Sequence, residues 1–157
     1  MAEHILNIQN LNVTFRTDTG RRTAVENVSF HVGEGEILCL VGESGSGKTV
    51  SALAAMNLLP HTAHIDHGTL LFGGRDILSM TEGQRRKIYG AQMTMICQEP
   101  MTSLNPVFKV GEQVAEVLKA HIPHISDKAC KERVIDLFEK VRLPDPHRRY
   151  HAYPNQL

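Results

Sequence analysis

Ile37-Leu38-Cys39-Leu40-Val41-Gly42-Glu43-Ser44-Gly45-Ser46-Gly47-Lys48-Thr49 is the stretch on which the fold turns. Its first five residues form an unbroken apolar run, the pattern of a strand buried on both faces, as in a parallel sheet. The next eight fit G-x-x-x-x-G-K-[ST], and the residues from Lys48 to about Leu59 read as a helix that Pro60 ends. Strand, glycine-rich loop and helix in that order make a phosphate-binding loop. The residue types follow from the ligand, because a triphosphate crowds negative charge onto closely spaced oxygens. Glycines let backbone N–H groups turn inward without side-chain clash. The helix N-terminus adds unpaired N–H groups and the positive end of its dipole. Lys48 brings a mobile positive charge to the β and γ phosphates, and the Thr49 hydroxyl suits a magnesium ion bridging them. The expected nucleotide contacts are Gly42, Glu43, Ser44, Gly45, Ser46, Gly47, Lys48, Thr49 and Val50.

Towards the N-terminus, residues 5–15 alternate loosely, with Leu11, Val13 and Phe15 on one face of a half-buried strand. Thr17-Asp18-Thr19-Gly20 reads as a turn, Ala24 to Val32 as a second strand, and Gly33-Glu34-Gly35 as another turn. Beyond the helix, His61, His64 and His67 recur every third residue. Only Asp66 frames them, so they read as a solvent-facing loop rather than a metal site. Gly68 to Ile77 reads as extended chain turning at Gly73-Gly74, Thr81 to Tyr89 as a polar helix, and Met93 to Cys97 as a short apolar strand. An irregular loop follows, to about Phe108. The period then changes: Val110, Val114, Val117, Leu118 and His121 share one helical face, and Cys130, Val134, Leu137, Phe138 and Val141 share another. Ser126 or Asp127 is placed to cap the second helix.

The 157 residues suffice for one domain with a hydrophobic core, and 17 basic residues balance 17 acidic ones. Nucleic-acid binders carry a basic excess, so no nucleic-acid partner is expected. Arg21-Arg22, Arg85-Arg86-Lys87 and Arg148-Arg149 read as solvated faces. Three scattered cysteines, Cys39, Cys97 and Cys130, argue against a disulfide scaffold and for a reducing compartment. The first residues lack the basic and apolar regions of a signal peptide, and no run approaches the ~18 apolar residues of a membrane span. Any link to a membrane is therefore expected to run through a partner.

The stretch Met93 to Pro106 makes the reading specific. Met93-Thr94-Met95-Ile96-Cys97-Gln98-Glu99-Pro100-Met101-Thr102-Ser103-Leu104-Asn105-Pro106 resembles the Q-loop of ATP-binding cassette proteins, in the form found in the oligopeptide, dipeptide and nickel importer branch. Cys97 departs from that pattern, standing where an aromatic is more usual. The resemblance runs from Leu6 to Leu157 and ends in Tyr153-Pro154-Asn155-Gln156-Leu157, similar to the stretch leading into the family signature, with Leu157 as its first residue. It implies a catalytic and magnesium-linked role for Gln98, with Thr49 as the other magnesium contact. It implies an adenine-stacking role for Phe15, which equally fits the buried face of the first strand.

The fold expected is α/β: a P-loop NTPase core with an antiparallel β layer over residues 1–98, then a partial helical subdomain over residues 99–157, together an incomplete ABC nucleotide-binding domain. The resemblance implies ATP and Mg2+ as cofactors and coupling of ATP hydrolysis to uptake of peptides or a related solute. The partners implied are a second ATP-binding subunit, integral membrane permease subunits and, indirectly, a solute-binding protein, at the cytoplasmic face of the membrane. The family's signature glycines, Walker B aspartate with its catalytic glutamate, and switch histidine have no counterpart in these residues. The chain is accordingly expected to be an N-terminal fragment that does not hydrolyse ATP alone and is poorly soluble or partly molten, its Ile37–Val41 edge unpaired. A non-catalytic nucleotide-binding remnant and a soluble non-transport ABC ATPase are the alternatives.

Overall fold

The computed structural model describes residues 4–99 and 103–157, so Pro100, Met101 and Thr102 of the quoted Q-loop stretch lie outside the described residues. The chain divides into two units, Met1–Arg85 and Arg86–Leu157.

The first unit is built on an antiparallel sheet. Strands β1 (Leu6–Thr17), β2 (Gly20–Val32), β3 (Ala63–Phe72) and β4 (Arg75–Asp76) run in the order β2-β1-β3-β4. Every ladder is antiparallel, and β1 lies between β2 and β3. Ile8, Leu11 and Val13 of β1 are fully buried, and with Val25 and Leu70 they form the core that helix α1 (Lys48–Ala55) covers through Ala54 and Ala55. Each such large side chain, fully buried, contributes about 1.5–3 kcal/mol of transfer free energy.

Ile8 and Leu11 are three residues apart, which strict alternation would send to opposite faces. Asn10 resolves this with φ 51, a bulge that re-aims Leu11 inward. Opposite it, Gly68 has φ +127, and a Cβ there would come 2.9 Å from the Leu11 Cα, so only glycine admits the close approach. Asn27 makes a matching bulge in β2 at φ 50, its N–H donating to Asn12 Oδ1 at 3.0 Å. The loose alternation read from the sequence is this pair of bulges.

Three expectations are corrected in this unit. The helix after the loop ends at Ala55, not Leu59. Asn57 takes φ 49, and the Leu58 N–H donates to the Leu53 carbonyl at 2.9 Å, a left-handed closure that stops the helix before Pro60 acts. His64 and His67 lie in β3, opposite Thr14 and Asn12, not in a loop. Ladder hydrogen bonds to β1 hold this polar segment extended whatever its side chains. Ile37–Val41 is not a strand, and Ile37 is 96% and Val41 90% exposed. A strand is a property of pairs, and among the described residues this run has no ladder partner.

Helix α2 (Glu82–Ile88) spans the boundary at Arg85 and opens on a Thr81–Gln84 capping box, with the Thr81 N–H donating to Gln84 Oε1 at 2.8 Å. In the second unit, Met93–Cys97 is likewise not a strand: Met93 forms only an isolated bridge with Tyr89, and Ile96 is 92% exposed. Helices α3 (Val110–His121), α4 (Asp127–Lys140) and the five-residue α5 (Pro146–Tyr150) pack together. Ser126 is the α4 cap, accepting from the Ala129 N–H at 3.2 Å. Lys119 on α3 reaches Asp127 on α4 at 2.6 Å; that hydrogen bond holds the Asp127 carboxyl below its usual range and raises the Lys119 ammonium.

The inner face of α3 differs from the expected one. Gly111 and Ala115 are buried, whereas Val117 is exposed, because Tyr150 lies directly on Gly111. A Cβ at Gly111 would come 2.5 Å from Tyr150 Cγ and 2.6 Å from its carbonyl oxygen. Gly111→Ala is expected to destabilise this unit by about 1–3 kcal/mol, the usual cost of overpacking. An unchanged urea midpoint in dilute solution would refute that packing.

Candidate functional site

The glycine-rich loop of residues 42–47 forms in the first unit between the exposed 37–41 run and α1. Gly47 is the residue before the helix, with φ 88 and no side-chain cap, and the first turn of α1 carries no acidic residue. The helix thus begins with backbone donors that its own side chains do not satisfy. Gly45 also takes a left-handed φ of 82, turning the loop back toward the helix. These residues fit an anion: donors at the helix start, no competing carboxylate in the first turn, and a lysine held within the loop.

Lys48 Nζ donates to the Gly42 carbonyl at 2.7 Å, the Glu43 carbonyl at 2.6 Å and Ser46 Oγ at 3.1 Å. The ammonium therefore sits at the centre of the curve that Gly42 to Ser46 describes. Ser46 closes the turn through its N–H to the Glu43 carbonyl at 3.2 Å. A Cβ at Gly42 would stand 2.8 Å from Ser46 Oγ and 3.8 Å from Lys48 Nζ, so the glycine leaves room for the lysine's fold-back.

The loop is also seated on the sheet. A Cβ at Gly47 would meet the Ala24 carbonyl at 2.8 Å and Val25 Cγ2 at 3.0 Å. The left-handed φ and this contact both demand glycine. Gly47→Val is expected to lift the loop from β2, lowering nucleotide affinity about tenfold or more and costing roughly 1–3 kcal/mol of stability. Equal affinity in a titration with a fluorescent nucleotide would show that the seat is immaterial.

Thr49 is exposed at the first turn of α1, and Val50 packs half-buried against the core. Ser44 and Gly45 are exposed. Phe15, in β1 opposite Arg22 and Ala63, is half-buried and packs against the core cluster. The structure thus brings Gly42 to Val50 together in one unit with Phe15. Gln98 belongs to the other unit, exposed on a bend. Sequence reasoning missed Ala24, whose carbonyl meets Gly47. Its only signal is a small residue followed by Val25 in β2, which becomes informative once the pairing is known. In the second unit, a groove of about 880 Å³ lies between Lys87, Tyr89 and Ala91 on one side and Val117, Ala120 and His121 on the other. Among the described residues, no cluster of three or more His, Cys, Asp or Glu is arranged to hold a metal ion, and no helix is long and apolar enough to cross a membrane.

A family model described as ABC transporter matches residues 25–157. The chain is 40% identical over 153 residues to the oligopeptide transport ATP-binding protein OppD of Bacillus subtilis, covering 97% of this chain and 42% of that protein. It is 42% identical over 153 residues to the dipeptide transport ATP-binding protein DppD of Haemophilus influenzae, covering 98% of this chain and 46% of that protein. It therefore spans less than half the length of these curated relatives. Among solved structures, a dimeric post-hydrolysis state of an ATP-binding cassette bound to ADP and Pi superposes with a TM-score of 0.79 at 21% identity, covering 97% of this chain and 62% of the other.

Proposed function

The chain belongs to the ABC transporter family, and from that premise we propose that it is the ATP-binding part of an importer subunit for oligopeptides, dipeptides or a related solute. The observation that carries this is the loop itself, with Lys48 Nζ at its centre between the Gly42 and Glu43 carbonyls, on a chain similar over its length to peptide-transport ATP-binding proteins.

In this reading the backbone from Gly42 to Lys48, with the Glu43, Ser44 and Ser46 positions shaping it, cradles the phosphates. Lys48 leaves its carbonyl partners for the β and γ oxygens. Thr49 would be one contact for Mg2+, and by the family resemblance Gln98 another; the ion would supply positive charge against the phosphates. Gln98 orients the attacking water, Val50 anchors the loop to the core, and Phe15 stacks on adenine. Residues 1–98 act as the nucleotide core and 99–157 as the helical subdomain. Partners are a second ATP-binding subunit and permease subunits, with a solute-binding protein acting through them, at the cytoplasmic face of the membrane.

Residues 1–157 supply a phosphate cradle, a magnesium hydroxyl and one glutamine, while hydrolysis needs a positioned base or water-orienting group and a complete metal site. The chain alone is therefore expected to bind MgATP without turnover, and a longer protein that includes it to hydrolyse ATP and co-purify with a permease. Equilibrium binding, phosphate release and affinity purification together test this. No ATP binding by either form would overturn the reading. Turnover by residues 1–157 alone would overturn the division of roles.

A further inference from the structure

Arg148 and Arg149 read from the sequence as a solvated basic pair, but their surroundings say more. α5 carries Arg148 and Arg149, and with His151, Ala152 and Gln156 they line a recess of about 250 Å³. Lys131 of α4 stands beside it, its Nζ 3.3 Å from His151 Nε2 and 5.2 Å from the centre of the Tyr150 ring. Among the described residues, no carboxylate lies within ion-pair distance of Lys131, Arg148 or Arg149; the acidic side chains of α4 that form ion pairs, Asp127 and Asp136, go to Lys119, Arg133 and Lys140 instead. Arg149 Nη1 donates to the Gln156 carbonyl, yet its Nε is buried with no acceptor.

A basic helix end is a common arrangement, since cations complement the dipole there. That accounts for Arg148 at the rim. It leaves two facts over. A buried guanidinium N–H without an acceptor costs about 1–3 kcal/mol, and Arg148 and Arg149 share a recess with His151, Lys131 beside it, with no carboxylate among the described residues within ion-pair distance. An oxyanion answers the second, because it supplies several strong acceptors and charge of the opposite sign, and guanidinium geometry suits its paired oxygens.

We propose that the recess formed by Arg148, Arg149, His151 and Lys131 binds a phosphoryl-type oxyanion, free or as the headgroup of a phospholipid. Arg148 and Arg149 provide guanidinium donors, Lys131 the flanking charge, and His151 Nε2, which accepts from Lys131 Nζ, holds that lysine beside the recess. The site lies in the second unit and shares no residue with the phosphate loop.

The test is residue-resolved protection from an arginine reagent. The chain, at low-micromolar concentration, is treated with an arylglyoxal, and modification is read peptide by peptide by mass spectrometry. Inorganic phosphate is expected to slow modification of Arg148 and Arg149 roughly fivefold or more, as charge-assisted hydrogen bonds would. Arg21, Arg22 and Arg142 should be unaffected, and chloride of equal ionic strength should not substitute. Lys131→Gln and Arg148→Gln, neither of which removes a hydrogen bond to the backbone, should each weaken protection of Arg149. Lys48→Ala should leave it intact. Vesicles of phosphatidic acid in phosphatidylcholine, set against phosphatidylcholine alone, separate the sources: protection by the vesicles and not by phosphate assigns a headgroup, and protection by phosphate assigns the free anion. Protection by neither, equal protection at Arg21 and Arg22, or its loss in Lys48→Ala overturns the proposal.

Discussion

Lys48→Ala is expected to weaken binding of a nucleoside triphosphate by about a hundredfold or more. Hydrogen bonds to a charged group contribute about 1.5–3 kcal/mol each, and Lys48 is proposed to make more than one to the phosphates. The loop geometry adds a second cost. Nζ is bonded to the Gly42 and Glu43 carbonyls and Ser46 Oγ. Without it, those acceptors turn their negative ends toward an incoming anion with no cation between them. Lys48→Arg separates charge from shape: it keeps the charge, but the planar fork does not reproduce three contacts converging on one nitrogen. Intermediate affinity is expected for it. Titration with a fluorescent ATP analogue, with circular dichroism verifying the fold, measures both. Unchanged affinity in Lys48→Ala would remove the phosphate-cradle assignment.

The second large effect concerns the two apolar runs that lack ladders. Ile37, Val41 and Ile96 are each at least 90% exposed. Among the described residues neither segment joins a ladder, and unpaired apolar edges of this kind recruit other chains. Residues 1–157 are therefore expected to self-associate at micromolar concentration and to bind an apolar dye, although the β1–β2–β3 sheet is intact. The double substitution Ile37→Lys with Ile96→Lys places a charge on each edge and touches neither core cluster. It is expected to restore a monomer and reduce dye binding several-fold, as edge lysines do. Size-exclusion chromatography with light scattering decides: a monodisperse, dye-silent parent chain would show that the exposed runs are harmless.

The backbone of the glycine-rich loop was legible because its requirements are local: left-handed φ at Gly45 and Gly47. The β1 and β2 strands, the turn at Gly73-Gly74 and the Ser126 cap were legible for the same reason. The bulges were not, since Asn10 and Asn27 take positive φ only where a neighbouring strand accepts the extra residue. β3 was half-hidden because His64, Asp66 and His67 look like loop residues, and backbone pairing to β1 overrides their polarity. Helix α5, five residues long, is too short to show a period. The apolar runs at 37–41 and 93–97 were read as strands from composition, but composition supplies only one side of a ladder. Ala24 illustrates the same limit at the site: its carbonyl beneath Gly47 is set by tertiary pairing and leaves no mark in the sequence.

The β1–β2 hairpin has a consequence for the order of events during synthesis. Its ends meet at Thr17 and Gly20, across two residues, so its contacts are the most local in the sheet. Once β2 has left the ribosome, the hairpin can close within about 1–10 μs. The apolar 37–41 run follows almost at once. At about 5–20 residues per second, β3 emerges a few seconds later. For that interval a hairpin already zipped presents a sticky, unpaired segment at its back, at the stage when a nascent chain is most open to capture. A ribosome-proximal holdase is expected to engage residues 37–41 in that window.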